Sequence, residues 1–311
     1  MKLLLLFITL PLLYWPHGID RAPALRQAGI EQISVPPEQA AEWTQAGFIT
    51  TPLSPAELTA RTKLLTPRTA PRSGVASPTR APWLDANGWL IERHHADRFY
   101  YDLPPGRAAL AAAEAFAYDA DAVLKIDPAD VAEFGRMLAF LREIPELKLP
   151  TVADFAVVDD GSPLTGEILN LLSRRNLLVR VVAAPSSQFS LNISLGTKEY
   201  PREAAADPSA FALKVRRQLG DDHRSLRIYG SETVICRLTS DGKRTRLHLL
   251  NYGGREIEGL RVKLRGAYGK GSVKVFGADR MELSDYLLAD GATEFSIPRM
   301  GIYAVVDLTT K

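Results

Sequence analysis

The sequence predicts a mixed chain, a partly parallel α/β layer followed by an antiparallel β-sandwich. Three observations predict it. Apolar strand-like runs alternate with helical segments as far as residue 220, helical periodicity disappears beyond Gly220, and a series of short strand-like runs separated by turn residues follows. With 311 residues the chain exceeds one typical domain. The expected division is a leader over 1–15, an α/β region over 16–220 with a sub-boundary near 150, and a sandwich over 221–311.

Lys2 and the apolar run from Leu3 to Leu13 match the charged start and short hydrophobic stretch of a secretory signal, too short to cross a bilayer, which takes about 20 apolar residues. The expectation is an exported protein, periplasmic, envelope-located or secreted, without a transmembrane span. The competing reading makes Leu3–Leu13 a buried first strand or helix. Helix is expected over 22–29 and strand over 30–35. A second helix opens after Pro36-Pro37, runs over 38–46 and stops at Gly47, and 48–51 is the next strand. Prolines from Pro52 to Pro82 then interrupt the pattern and predict a long connection. Helix formers return over 107–118, and 121–126 is a strand. Asp127-Pro128 opens a helix to about Arg142, with Asp127 as N-cap and Asp130 complementing the helix dipole. Strand 152–158, whose Asp154 needs a partner or a sheet edge, leads through Asp159-Asp-Gly-Ser162 to a helix over 164–175 and a strand over 177–182, a βαβ unit. A helix over 208–219 is capped by Asp207. Sandwich strands are expected at 226–229, 233–239, 245–252, 260–265, 272–276, 293–297 and 302–308, with Asp241-Gly242 as a hairpin turn and His248 facing outward between Leu247 and Leu249.

The segments Arg246–Tyr252, Leu260–Leu264 and Gly301–Val306 resemble the small C-terminal sandwich domain of many glycoside hydrolases. Asp154–Glu167 and its βαβ unit are similar to the amidotransferase-like middle domain of family-42-type β-galactosidases, and the two pieces occur in the same order. The resemblance implies a truncated barrel-like N-terminal part, a flavodoxin-like βαβ part and a carbohydrate-related lineage. The family's reaction uses two glutamates, the acid/base one in an Asn-Glu pair. This sequence contains no Asn-Glu dipeptide, and residues 16–150 fall short of the roughly 250 that an eight-stranded barrel takes.

Composition excludes several classes. Lys plus Arg (38) and Asp plus Glu (36) nearly cancel to +2, so no field of one sign points to nucleic acid. Lys214, Arg216 and Arg217 read as a solvated helix face. Cys236 is the only cysteine, so neither an internal disulfide nor a cysteine-based zinc site can form, and its strand context reads as a small buried hydrophobe. His94, His95 and Asp97 read as an exposed loop, not a metal site. No cofactor pattern is present.

For a ligand, aromatic faces that stack on sugar rings and planar polar groups that bond hydroxyls point to Trp83, Asp85, Asn87, Trp89, Glu92, Arg93 and Tyr101, within a cluster that also holds Phe99 and Tyr100. The competing reading packs these aromatics beneath a loop. Asp159, Asp160 and Glu167 are the candidate catalytic acids, since open α/β sheets place ligands at strand C-termini. Against that, Ser162 and Pro163 read as the N-cap and first residue of a helix whose dipole the acids complement. The leading expectation is a non-catalytic, glycan-associated protein with carbohydrate as partner. The alternatives are a degenerate glycoside hydrolase using a carboxylate pair among Asp85, Glu92, Asp159 and Glu167, and a structural module that forms a homo-oligomer.

Overall fold

The computed structural model describes residues 10–70, 83–269 and 271–311. The chain forms two compact units, one made of the residues up to Pro67 with His94–Leu147, the other of Arg68–Arg93 with Lys148–Lys311. In chain order the elements are β1 (Leu12–Tyr14), α1 (Ala22–Gln27), β2 (Gln32–Val35), α2 (Ala40–Gln45), β3 (Ile49–Pro52), α3 (Pro55–Thr59), β4 (Thr62–Lys63), β5 (Arg68–Ala70), β6 (Trp83–Asp85), α4 (Gly88–Arg93), β7 (Phe99–Asp102), α5 (Ala108–Ala117), β8 (Ala122–Lys125) and α6 (Val131–Arg142). They continue with β9 (Phe155–Val158), α7 (Pro163–Arg174), β10 (Val179–Val182), β11 (Asn192–Ile193) and α8 (Pro208–Leu219). The sandwich strands are β12 (Leu226–Tyr229), β13 (Val234–Ser240), β14 (Arg244–Asn251), β15 (Ile257–Arg265), β16 (Ser272–Val275), β17 (Ser284–Ala289), β18 (Ala292–Met300) and β19 (Tyr303–Thr309). The fold is α/β plus all-β.

In the first unit six strands pair in the order β3-β2-β1-β8-β7-β4, all parallel. Read as a ring, this is sequential barrel order with one seam open between β3 and β4. A flat sheet would hold those two edges about 24 Å apart. Residues 53–61, including the five of α3, reach about that far only when drawn out fully, so the sheet must curl. Packing agrees: Leu53 and Leu58, from the β3–β4 connection, share a cluster with Tyr14, Tyr100 and Val123 of the central strands. The long connection expected from Pro52 to Pro82 is therefore structured in its first part, with α3 closed by a reciprocal Ser54–Glu57 capping box. Elements of two to five residues are too short to show periodicity. Residues 71–82 lie outside the described residues.

The opposite face of this sheet carries Leu13, Ile33, Val35, Phe99, Tyr101 and Leu124, all buried. Alanine-rich α5 packs there against β8 and α6, its small side chains allowing close approach. The leader expected over 1–15 overlaps β1, which lies between β2 and β8 with Leu13 only 1% exposed. Residues 1–9 lie outside the described residues. Asp130 sits in the first turn as expected and has a further role: its carboxylate accepts the N–H groups of Gly106 (2.8 Å), Arg107 and Ala108, closing the start of α5.

In the second unit β9, β10 and β11 form a parallel sheet in the order β10-β9-β11, with α7 as the crossover between β9 and β10. Ser162 caps α7 as expected. Two antiparallel sheets, β12-β15-β18-β17 and β13-β14-β19-β16, enclose the sandwich core of Leu247, Leu249, Leu260, Val262, Phe295 and Val306. Asp241-Gly242 makes the β13–β14 turn, Gly242 at φ +85°. Strand β17 was not expected: Asp285 in the left-handed region shifts its register and leaves it largely exposed, which erases the alternation.

The α/β layer of this unit meets the free edge of β13. Asn176, left-handed (φ +51°) just beyond α7, brackets the strand by accepting from Cys236 N (2.8 Å) and donating to Val234 O (2.9 Å). Val152 N donates to Leu238 O, and Asp154 accepts from Ser225 N, the partner its position required. His248 does face away from the core residues Leu247 and Leu249, as expected, but is not exposed there. It is buried and bonds Tyr303 Oη at 2.6 Å. Cys236 is buried and free, its thiol pushed up by burial.

Candidate functional site

Parallel register builds a row of side chains across the first unit. Tyr14 ends β1, Lys125 ends β8 and Asp102 ends β7, and these three are direct partners. Ser34 and Thr51 extend the row along β2 and β3. Inner layers of closed parallel barrels are filled by bulky branched residues, yet every member of this row is polar. Asp102 pairs with Lys125 (3.3 Å) and accepts from Tyr100 Oη (3.3 Å), while Ser34 Oγ donates to Thr51 O (2.9 Å). Below it the next row is Lys63, Tyr100, Val123 and Leu12, the ammonium of Lys63 lying 5.9 Å from the Tyr100 ring.

Burial raises the pKa of both tyrosines, with the Glu38 carboxylate adding to it at Tyr14 and Asp102 at Tyr100, so both remain neutral donors. The open end of the row is at Lys125 and Asp102, whose side chains are 42% and 39% exposed. Among the described residues, buried Trp15 Nε1 and Gln39 Oε1 have no hydrogen-bond partner and Gln39 Nε2 reaches Pro16 O at 3.5 Å, Trp15 alternating onto the face of Leu13 and not onto that of the row. Sequence reading missed this site. Its available signal was a polar residue closing an apolar run, in Leu-Leu-Tyr14, Phe-Tyr-Tyr-Asp102 and Ala-Val-Leu-Lys125.

The expected ligand residues fall in both units. Tyr101 belongs to the first, buried under α5, where its hydroxyl donates to Glu114 at 2.7 Å. Trp83, Asp85, Asn87, Trp89, Glu92 and Arg93 belong to the second, on β6, α4 and the turn between them. The Arg174 guanidinium lies 3.7 Å from the Trp83 ring centroid. Asp85 accepts from Arg68 Nε (3.1 Å) and Glu92 from Arg237 Nε (3.2 Å). Asn87 is buried, and its backbone carbonyl accepts from Leu90 N and Ile91 N as α4 begins. Trp89 and Arg93 press on α7 at Gly166, where a Cβ would meet Arg93 Nη1 at 2.7 Å and the Trp89 ring at 3.0 Å. The charged groups of this cluster are thus engaged in contacts within the second unit, while Trp89 Nε1 is buried with no hydrogen-bond partner among the described residues.

The candidate acids follow β9. Arg93 grips Asp159 with two bonds (2.9 and 2.6 Å) and also donates to Ser162 O. The Arg93 bonds hold the Asp159 carboxyl below its ordinary range. Asp160 accepts from Ser162 N and Thr165 Oγ1 at the start of α7 and pairs with Arg202 at 2.5 Å. Those bonds, those of Ser162 and Thr165 foremost, push its carboxyl well down. Both therefore remain ionised near neutrality. Glu167 is exposed on α7. His94, His95 and Asp97 lie on an exposed turn, with Asp97 accepting from Thr62 Oγ1.

No protein-family model matches the chain, and no curated protein sequence matches it. Solved structures do. An α-L-fucosidase isoenzyme 2 from Paenibacillus thiaminolyticus superposes with a TM-score of 0.53 at 8% identity, over 70% of this chain and 61% of that one. That likeness is one of fold. A β-galactosidase from Rahnella sp. R3 gives 0.42 at 10% identity, over 91% of this chain and 61% of that one. A GH42 β-galactosidase from G. stearothermophilus gives 0.39 at 9% identity, over 75% and 52%. The chain thus spans about three fifths of the length of the first two.

Proposed function

We propose that this is an exported, glycan-associated protein that binds carbohydrate and does not hydrolyse it. The observation that carries the reading is the fate of the candidate acids. Hydrolysis by either glycosidase route needs one carboxyl group that can give up a proton to the leaving oxygen. Asp159 and Asp160 are held ionised by arginines and by the start of α7, and Asp85 and Glu92 are each tied to an arginine. These four are each engaged by an arginine, so a hydrolytic pair would have to draw its acid from Glu167, exposed on α7. The glycoside-hydrolase-like fold supports the carbohydrate half of the reading. Export rests on Lys2 and the apolar run that follows it.

The test combines a glycan array and a thermal-shift screen with turnover assays on chromogenic glycosides. The expected result is stabilisation by at least one saccharide with no glycoside cleaved. Cleavage that survives replacement of Asp159 and Asp160 by asparagine would still defeat the non-hydrolytic reading, and silence across the whole panel would defeat the glycan reading.

A further inference from the structure

The polar row of the first unit is costly for the fold unless something uses it. Tyr14 is 4% exposed and Ser34 is fully buried, positions that a closed barrel fills with aliphatic side chains. Burying polar groups destabilises a fold unless each finds a partner. Ser34 has one, in Thr51 O.

The charges around the row are balanced. Lys125 and Lys63 stand against Asp102 and Glu38, so a phosphate or sulfate would meet carboxylates and a cationic ligand would meet ammonium groups. What the arrangement offers is a carboxylate able to accept from two neighbouring hydroxyls beside an ammonium able to donate to a third oxygen, with both heads open to solvent. We propose that the row formed by Tyr14, Lys125 and Asp102 at the strand C-termini of the first unit is a binding site for a neutral saccharide, engaged through a vicinal diol. The ligand class rests on the glycan-associated reading; the location rests on the row itself. The diol bridges the Asp102 oxygens, Lys125 donates to the adjoining sugar oxygen, and Tyr14 supplies a neutral hydroxyl at the inner end.

The test uses the full chain and methyl β-D-galactopyranoside, with its deoxy analogue lacking one hydroxyl of the cis diol, read by titration calorimetry. The expected result is binding of the galactoside, at least about tenfold weaker binding of the deoxy analogue, and a loss of about tenfold or more in Asp102→Asn. Glu294→Gln, which alters a sandwich ion pair, leaves the affinity unchanged. A measurement on the unaltered protein guards against misfolding of the variant: saturating galactoside slows reductive methylation of Lys125 and Lys63 and leaves Lys214 untouched. Binding with Lys125 unprotected and Asp102→Asn unaffected would overturn this location while leaving glycan association standing. No binding of the galactoside here, together with silence across the saccharide panel, would overturn both.

Discussion

Burial of a neutral imidazole beside Arg237 and Arg246 holds the pKa of His248 well below its ordinary value. Tyr303, which bonds it, and the Asp307 carboxylate paired to Arg246 complete its surroundings with Glu92 on α4, which pairs with Arg237. The folded value lies below the unfolded one, so the stabilisation is whole above about pH 6.5 and is lost as pH falls toward the folded value. Urea unfolding between pH 7 and 5 should show stability falling by up to about 1.4 kcal/mol per pH unit from this one group. His248→Gln should flatten that slope even if it lowers stability overall. Asp159 acts in a separate window. Its lowered value, due first to Arg93, gives stability that is present above the ordinary carboxylate range near pH 4 and is lost below it. Arg93→Gln should therefore remove part of the acid limb below about pH 4 while leaving the His248 slope in place.

Helix ends and helix contacts were legible to different degrees. Ser162, Asp127 and Asp207 cap the elements that follow them, because an N-cap is a local hydrogen bond that spacing alone reveals. Asp130 escaped the same reading because its partners lie more than twenty residues away, at the start of α5. Replacing it with alanine leaves the N–H groups of Gly106, Arg107 and Ala108 without their charged acceptor. The expected cost is about 2–3 kcal/mol in denaturant unfolding, with a smaller cost for the asparagine variant. Gly135 is the matching case for helix contact. A Cβ there would lie 2.1 Å from the Ala28 carbonyl oxygen, which is backbone and cannot rotate away. Gly135→Ala should destabilise the first unit by about 1–3 kcal/mol by forcing α6 off the end of α1, visible as a lower thermal midpoint. The short elements α3 and β4 were illegible for a different reason, since too few residues repeat to establish a period, whereas β17 was hidden by its exposure and its register shift.

At the scale of the whole molecule, the first unit depends on β1. It is bonded to β2 on one side and to β8 on the other, so removing residues 1–14 leaves two half-sheets with unpaired edges. That deletion should abolish soluble expression or leave the first unit rapidly cut by protease. Mass spectrometry of the folded protein should accordingly find an N-terminus at or before residue 11. The amino-acid sequence by itself determined the two classes of structure, the βαβ unit, the hairpin at Asp241-Gly242 and most sandwich strands, because alternation, capping and turn chemistry are written in neighbouring residues. Only the tertiary structure decided which polar groups face one another. Trp83, Glu92, Arg93 and Asp159 look like a sugar site until arginines from distant segments are seen to hold them. Tyr14, Asp102 and Lys125, far apart in the chain, form a row through strand order and register, which are set by long-range pairing.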